Sequence, residues 1–291
     1  MTRVVAARWA RVGSAMLISA VAVGCTSPPT TSTGGPKHLI YVAIGDSAAA
    51  APDVPEPAPP LGCAKSTNDY PSVLARRIAP ASFTDVTCSG ATTADITGRA
   101  QQTSGGAVPP QIDSVRPDTT PITITIGGND VGLGSDAAQC LAASRDAAPC
   151  VDKFVGGGVD RISAAITAQV PVWGAMIDAV RAKTPAARVI WVGYLTYIRP
   201  GGCYPEQPVL PQDATYFESK LNELDNRQKQ LAVDKKIDYF DTRPLSVGHD
   251  MCAPPDQRYV EGLVTVNPGA PLHPNALGAA AVGNALADYL G

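Results

Sequence analysis

Ser47 closes the tripeptide Gly45-Asp46-Ser47, directly after the apolar run "HLIYVAIG" at 38–45. A serine displayed at the tip of a buried strand can attack a carbonyl carbon. Its hydroxyl is a poor nucleophile until a base takes the proton. Three histidines are available as that base. His38 opens the run that Ser47 follows, so it sits at the wrong end of the strand. His249 lies in "SVGHDMC" beside Cys252, where it fits a site-lining role or a structural loop role. His273, in "LHPN", stands just before the last helical pattern, in a loop able to reach strand tips, and is the base we assign. Asp46 and Asp130 each lie one residue from a candidate position and read as loop-holding hydrogen-bond acceptors. Gly-Asp-Ser alone is a weak signal, and Gly127-Gly128-Asn129 alone reads as a turn after a strand.

These residues need elements to carry them. The run 38–45 lacks polar alternation, as do "PITITIGG" (121–128), "ARVIWVGY" (187–194) and "KIDYFD" (236–241), with "SFTDVTC" (82–88) as a weaker fifth. Continuous apolar runs of this length predict strands buried on both faces of a parallel sheet. Helical spacing lies between them. "YPSVLARRIA" (70–79) places Val73, Leu74 and Ile78 on one face. Val159, Ile162, Ile166, Val170, Trp173, Ile177 and Val180 step by three and four, with a kink expected at Pro171. Phe217, Leu221, Leu224 and Leu231 repeat the pattern, and a last helix is expected to start at Pro274. Strands alternating with helices give a parallel sheet covered on both faces, with sites at the carboxyl ends of strands. Ser47, Asn129 and Asp241 all follow predicted strands directly.

In order and position, "GDS" at 45–47, "CSGATT" at 88–93, "GGND" at 127–130 and "LHPN" at 272–275 resemble the four blocks of the SGNH, or GDSL, hydrolase family. The segment "CAKSTNDYPSVLA" (63–75) resembles the disulfide-rich secreted bacterial esterase branch of that family. The resemblance spans nearly all of the chain after residue 36. It implies a flavodoxin-like three-layer α/β/α sandwich around a parallel sheet of about five strands. It also implies Ser47 as nucleophile, His273 as base, and an oxyanion hole made of the Ser47 N–H, the Gly90 N–H and the Asn129 side-chain amide. The family usually places an aspartate three residues before the histidine, but Ala270 stands there. The related esterases substitute a main-chain carbonyl at that position. The resemblance therefore points to the Ala270 carbonyl as the group that orients His273, with Asp250 and Asp241 as alternatives. The implied reaction is hydrolysis of a carboxylic ester of a lipid, an acylated glycan or a small alcohol. No metal or organic cofactor is required. The same residue set would serve a cell-envelope sugar deacetylase, a thioesterase or an acyltransferase. A lipid- or glycan-binding protein without turnover is the non-enzymatic rival.

The formal net charge is −3, with no basic block, which gives no footing for nucleic acid. Arg3, Arg8 and Arg11 precede an apolar stretch at 12–23 that ends in Gly24-Cys25. This reads as a secretory signal over 1–24, too short to span a bilayer. The ending is similar to a lipoprotein cleavage site, so Cys25 is expected to carry lipid and hold the protein at a membrane. Residues 25–36 are polar and rich in Pro, Gly and Thr, hence a tether. The hydrolase domain occupies 37–291 and is expected to be monomeric. Export favours disulfides. With Cys25 set aside, nearest-in-sequence pairing gives Cys63–Cys88, Cys140–Cys150 and Cys203–Cys252. The last bridge would pin the Pro/Gly-rich loops around 196–215 and 242–272 beside the site and shape an acyl pocket.

Overall fold

The computed structural model describes residues 38–291, so the signal 1–24, Cys25 and the tether 25–36 lie outside the described residues. The five apolar runs form β1 (Ile40–Gly45), β2 (Ser82–Asp85), β3 (Ile122–Thr125), β4 (Val189–Val192) and β5 (Asp238–Phe240). All neighbouring pairs are parallel, in the order β5-β4-β3-β1-β2. The three central strands are buried almost throughout, whereas every residue of the edge strands β2 and β5 is only half-buried. That difference explains why the central runs are continuously apolar and the edge runs are mixed.

Helices cover both faces and make three layers, with the short helices α3 (Thr93–Thr97) and α7 (Arg243–Ser246) in the connections. On one face α2 (Tyr70–Ile78) packs with α8 (Ala276–Leu290), and Leu74, Val282 and Leu286 close on Tyr41 and Ile190 of the sheet. On the other face α5 (Arg161–Lys183) and α6 (Pro211–Lys235) bury Trp173, Ile177, Leu224 and Leu231 against Ile124 and Trp191. Trp173 and Trp191 meet edge to face at 6.2 Å. Side-chain oxygens satisfy first-turn N–H groups that lack intrahelical partners. Asp69 accepts from Ser72 N–H at 2.8 Å, and Asp160 accepts from Ile162 and Ser163 N–H at 3.0 Å.

Two helix expectations are corrected. The final helix does not start at Pro274. Asn275 caps it, accepting from Leu277 and Gly278 N–H at 3.0 and 3.1 Å, while Pro274 bridges to Val260 outside the helix. A capping carboxamide outweighs the preference of proline for a first turn. The helix through Pro171 starts at Arg161, so Val159 stands before it and exposed, and it runs as one element to Lys183 with Pro171 on its exposed side.

The strand order is a doubly wound one that reverses direction between β1 and β3. The crevice outside their carboxyl ends is where such sheets bind ligands. Gly45 ends β1 there. A Cβ at this position would stand 2.5 Å from the Thr125 carbonyl oxygen. The Gln111 side chain clamps both polar groups of Gly45, accepting its N–H at 2.7 Å and donating to its carbonyl at 2.9 Å. At the opposite, amino rim, His38, Leu39, Leu290 and Gly291 line one shallow hollow.

Three disulfides brace the connections, with the pairing Cys63–Cys88, Cys140–Cys150 and Cys203–Cys252 expected from sequence. Among the described residues no helix is long and apolar enough to cross a membrane.

Candidate active site

Ser47 is the first residue of α1 (Ser47–Ala50), a single turn that follows β1 at once. Asp46 caps this turn. One carboxylate oxygen accepts the Ala48 N–H at 2.9 Å, and the other accepts the Tyr194 hydroxyl at 2.5 Å. The Tyr194 oxygen in turn accepts the Gly128 N–H at 2.8 Å. Tyr194 thus struts the turn after β1 against the turn after β3. Burial pushes the Asp46 carboxyl up to about 7, with the Tyr194 hydrogen bond pulling the other way.

His273 reaches Ser47 across 226 residues of sequence, with Nε2 2.6 Å from Oγ. Its Nδ1 lies 2.7 Å from the Pro271 carbonyl oxygen. A carbonyl only accepts, so Nδ1 carries the proton and Nε2 is left to accept from the Ser47 hydroxyl. The expectation of Ala270 as the orienting group is corrected here: the carbonyl belongs to Pro271, two residues before the ring. Leu272 explains the change. It adopts a left-handed conformation at φ +60°, which folds the Pro271 carbonyl back onto the imidazole. Glu261 holds this bend, its carbonyl accepting the Leu272 N–H at 3.1 Å and its N–H donating to the His273 carbonyl at 2.9 Å. Ala270 contributes its N–H instead, donating to the Pro52 carbonyl at 2.9 Å.

Neither alternative acid touches the ring. Asp250 is buried and accepts from Arg199 Nε at 3.1 and 3.0 Å. Asp241, at the end of the edge strand β5, accepts from Arg243 at 2.9 and 2.7 Å. The carboxylate whose charge does act on His273 is Asp53, which the sequence reading passed over. Burial lowers the His273 pKa, and the Pro271 hydrogen bond and the Asp53 charge oppose it. His249 is structural: its Nδ1 lies 2.6 Å from the Gln257 carbonyl and its ring stacks on Tyr259 at 4.2 Å.

Gly90 and Asn129 sit on neighbouring loops. Asn129 Nδ2 donates one hydrogen to the Ala91 carbonyl at 2.9 Å, leaving the second free. Gly90 holds φ +80°, a conformation that disfavours a side chain, and both residues are exposed. Among the described residues, the Gly90 and Ser47 N–H groups have no acceptor. Cys88 N–H donates to the Gly45 carbonyl at 3.1 Å, which fixes this loop beside the Ser47 turn. Asp130 locks the loops together, accepting from Thr93 N–H at 2.9 Å, Thr93 Oγ1 at 2.6 Å and Trp173 Nε1 at 3.0 Å. Both flanking aspartates therefore hold loops, as the sequence reading has it.

The description of the GDSL-like Lipase/Acylhydrolase family matches residues 43–281. The chain belongs to this family. Membership makes it a carboxylic ester hydrolase of the lipase and esterase class. This GDSL-family chain is 33% identical to Lipase 2 of Streptomyces coelicolor over 301 residues, spanning 100% of this chain and 98% of that protein. Two solved structures share the GDSL-family fold. Phospholipase A1 from Streptomyces albidoflavus superimposes with a TM-score of 0.70 at 24% identity, covering 84% of this chain and 98% of the other. The extracellular lipase from Streptomyces rimosus gives 0.70 at 23%, covering 85% and 99%.

Beside Ser47 and His273, the GDSL-family site opens into a cavity of about 240 Å³. Its wall is mostly apolar, with Leu133 and Ala137 from α4 (Leu133–Ala138), Phe217 and Leu221 from α6, and Ile198, Val209, Met251 and Leu263 from loops. The Cys203–Cys252 bridge joins the two loops, and Met251 N–H donates to the Tyr197 carbonyl at 3.0 Å. Tyr194, Tyr197 and Glu218 also line the cavity, and the sequence reading singled out none of them. Tyr194 lies two residues beyond β4, so the strand-tip rule that flagged Ser47 and Asn129 could have found it. Replacing Tyr194 by Phe leaves the Gly128 N–H and one Asp46 oxygen without their shared partner. We expect a loss of about 1–3 kcal/mol in unfolding free energy, measured by urea denaturation. An unchanged midpoint and slope would show that the strut carries no weight.

Proposed function

We propose that this protein is an exported serine esterase in which Ser47 and His273 work as a dyad. The observation that carries the reading is the Ser47 Oγ to His273 Nε2 contact of 2.6 Å, with Nδ1 held by the Pro271 carbonyl. His273 Nε2 takes the hydroxyl proton as Oγ bonds to the ester carbonyl carbon. The negative oxygen that develops is met by the Ser47 N–H, the Gly90 N–H and the free hydrogen of Asn129 Nδ2. Collapse of the tetrahedral species expels the alcohol, which takes the proton from Nε2. Water then repeats the cycle on the acyl-enzyme and releases the acid. The carbonyl on Nδ1 fixes the tautomer and lends a partial negative charge to the imidazolium, so no aspartate is needed on the ring.

The apolar cavity favours an alkyl acyl chain over the acetyl group of a sugar acetate. A sugar deacetylase would share the reacting groups but has no use for an apolar wall of this extent. Export is supported by the three disulfides and by the leader over 1–24, and the related Streptomyces rimosus enzyme is described as extracellular. A lipid on Cys25 would then hold the domain at a membrane through the tether 25–36.

Purified protein should hydrolyse p-nitrophenyl acyl esters, and Ser47→Ala should reduce kcat by at least about 10³-fold. Equal rates in the two proteins would remove Ser47 from the mechanism. The pH dependence follows from His273. Its Nε2 must be unprotonated to accept the serine proton, and burial makes the imidazolium give up its proton at a lower pH than usual. Accordingly kcat/KM for p-nitrophenyl acetate should rise with pH, with its midpoint below about 6.5, and level off above it. A midpoint above that value contradicts the assignment. For the anchor, the full chain expressed in a bacterial host should partition into detergent, and Cys25→Ser should move it to the aqueous phase. Partition into detergent that survives the substitution would exclude a lipid on Cys25.

A further inference from the structure

One carboxyl group in the cavity wall has no part in the dyad. Helix α6 turns Ala214, Phe217, Glu218 and Leu221 toward the cavity, the spacing of a single helix face. Three are apolar and the fourth is Glu218, which is only 6% exposed. One of its oxygens accepts the Tyr197 and Ile198 N–H groups, each at 3.1 Å. The other has only Asn222 Nδ2, at 3.4 Å. Among the described residues no cation pairs with it. The charged groups around it come from several elements. Asp250 stands on the 242–272 loop, paired with Arg199 but still acting on Glu218, Tyr197 follows β4, and Asp46 and His273 lie at the reacting end of the same cavity.

Resting on the esterase reading above, we propose that Glu218 sets acyl-chain selectivity: an alkyl chain long enough to fill the cavity alongside it requires the carboxyl to be protonated. In the open cavity, water can reach an ionised Glu218. A long chain expels that water and offers nothing in return, and an ionised carboxylate without a partner is strongly disfavoured against hydrocarbon. A short acyl group stays at the dyad and leaves the water in place. Burial, helped by the Asp250 charge, already pushes the Glu218 carboxyl up to about 7 despite the two backbone N–H groups. The group thus changes charge within the working range of an esterase. By linkage, filling the cavity and taking up a proton favour each other. Preference for long acyl chains is therefore full below about pH 7 and is lost as pH rises, approaching tenfold per pH unit.

The test is the ratio of kcat/KM for p-nitrophenyl octanoate to that for p-nitrophenyl acetate, measured from about pH 6 to about pH 8.5. His273 and Asp46 act at the reacting end, which both esters reach, so their titration cancels in the ratio. We expect the wild-type ratio to fall about tenfold or more across this range. Glu218→Gln keeps an oxygen for the Tyr197 and Ile198 N–H groups but carries no charge, so its ratio should stay at the low-pH value throughout. A wild-type ratio independent of pH overturns the proposal, and this arm needs no variant to fold. An equal fall in Glu218→Gln overturns it too. Failure of the esterase reading looks different: neither ester would then be cleaved in a Ser47-dependent way.

Discussion

The carboxyl group of Asp46 is buried where the central strands end, and three chain segments take their positions from it. It terminates β1 by capping the turn that displays Ser47. Through the Tyr194 hydroxyl it reaches the end of β4, and through the same oxygen it reaches the Gly128 N–H at the end of β3. A polar group this deep is held only because both of its oxygens are occupied. The Ser47 hydroxyl and the Asn129 amide are thereby carried on turns joined by hydrogen bonds rather than by packing alone. The Asp130 carboxylate repeats the device one loop further on, tying Thr93 and Trp173 to the Asn129 turn.

The other half of the site is built differently. His273 arrives on a loop without regular structure, and its orientation depends on main-chain groups. The Leu272 bend, the paired hydrogen bonds to Glu261 and the Asn275 cap of α8 define it. Glu261 is fully buried and accepts from Asn267 and Asn275 amides, each at 2.8 Å, so one carboxylate supports both the bend and the cap. Its pKa is held below the ordinary carboxylate range because the Val266 N–H, at 2.9 Å, and the two asparagines together outweigh its burial. Asp46 and Glu218 keep fewer donors, and burial, the first cause for both, moves them in the opposite direction. Burial and donor count together decide which carboxyls change charge near neutrality.

What could be read from the sequence divides along the same line. The sheet was legible because apolar runs mark buried strands, whereas Ser47 and Asn129 stood out through the ordered set of short motifs, since neither local motif alone points to a site. The nearest-neighbour disulfide pairing held because each bridge closes a local connection. The choice between the Ala270 and Pro271 carbonyls turns on one backbone angle, and a left-handed leucine leaves no trace in composition. Pro274 misled because its first-turn preference is generic, while the Asn275 cap is satisfied by two specific N–H groups. Glu218 was visible in principle: a carboxylate at 218 interrupts the apolar face made by Ala214, Phe217 and Leu221. Tyr194 stands at a strand tip, where the strand-tip rule could place it, but its role as a strut depends on Asp46 and Gly128 across the sheet, which no local pattern supplies.

The hollow at the amino rim has a practical meaning. His38 and Gly291 both border it, so the two ends of the described chain leave from one place, with the cavity mouth at the far edge of the sheet. A purification handle, a solid support or a fused partner attached at either end would point away from incoming substrate. Joining the two ends with a short linker and reopening the ring at a surface loop would give a circular permutant whose reacting groups keep their surroundings.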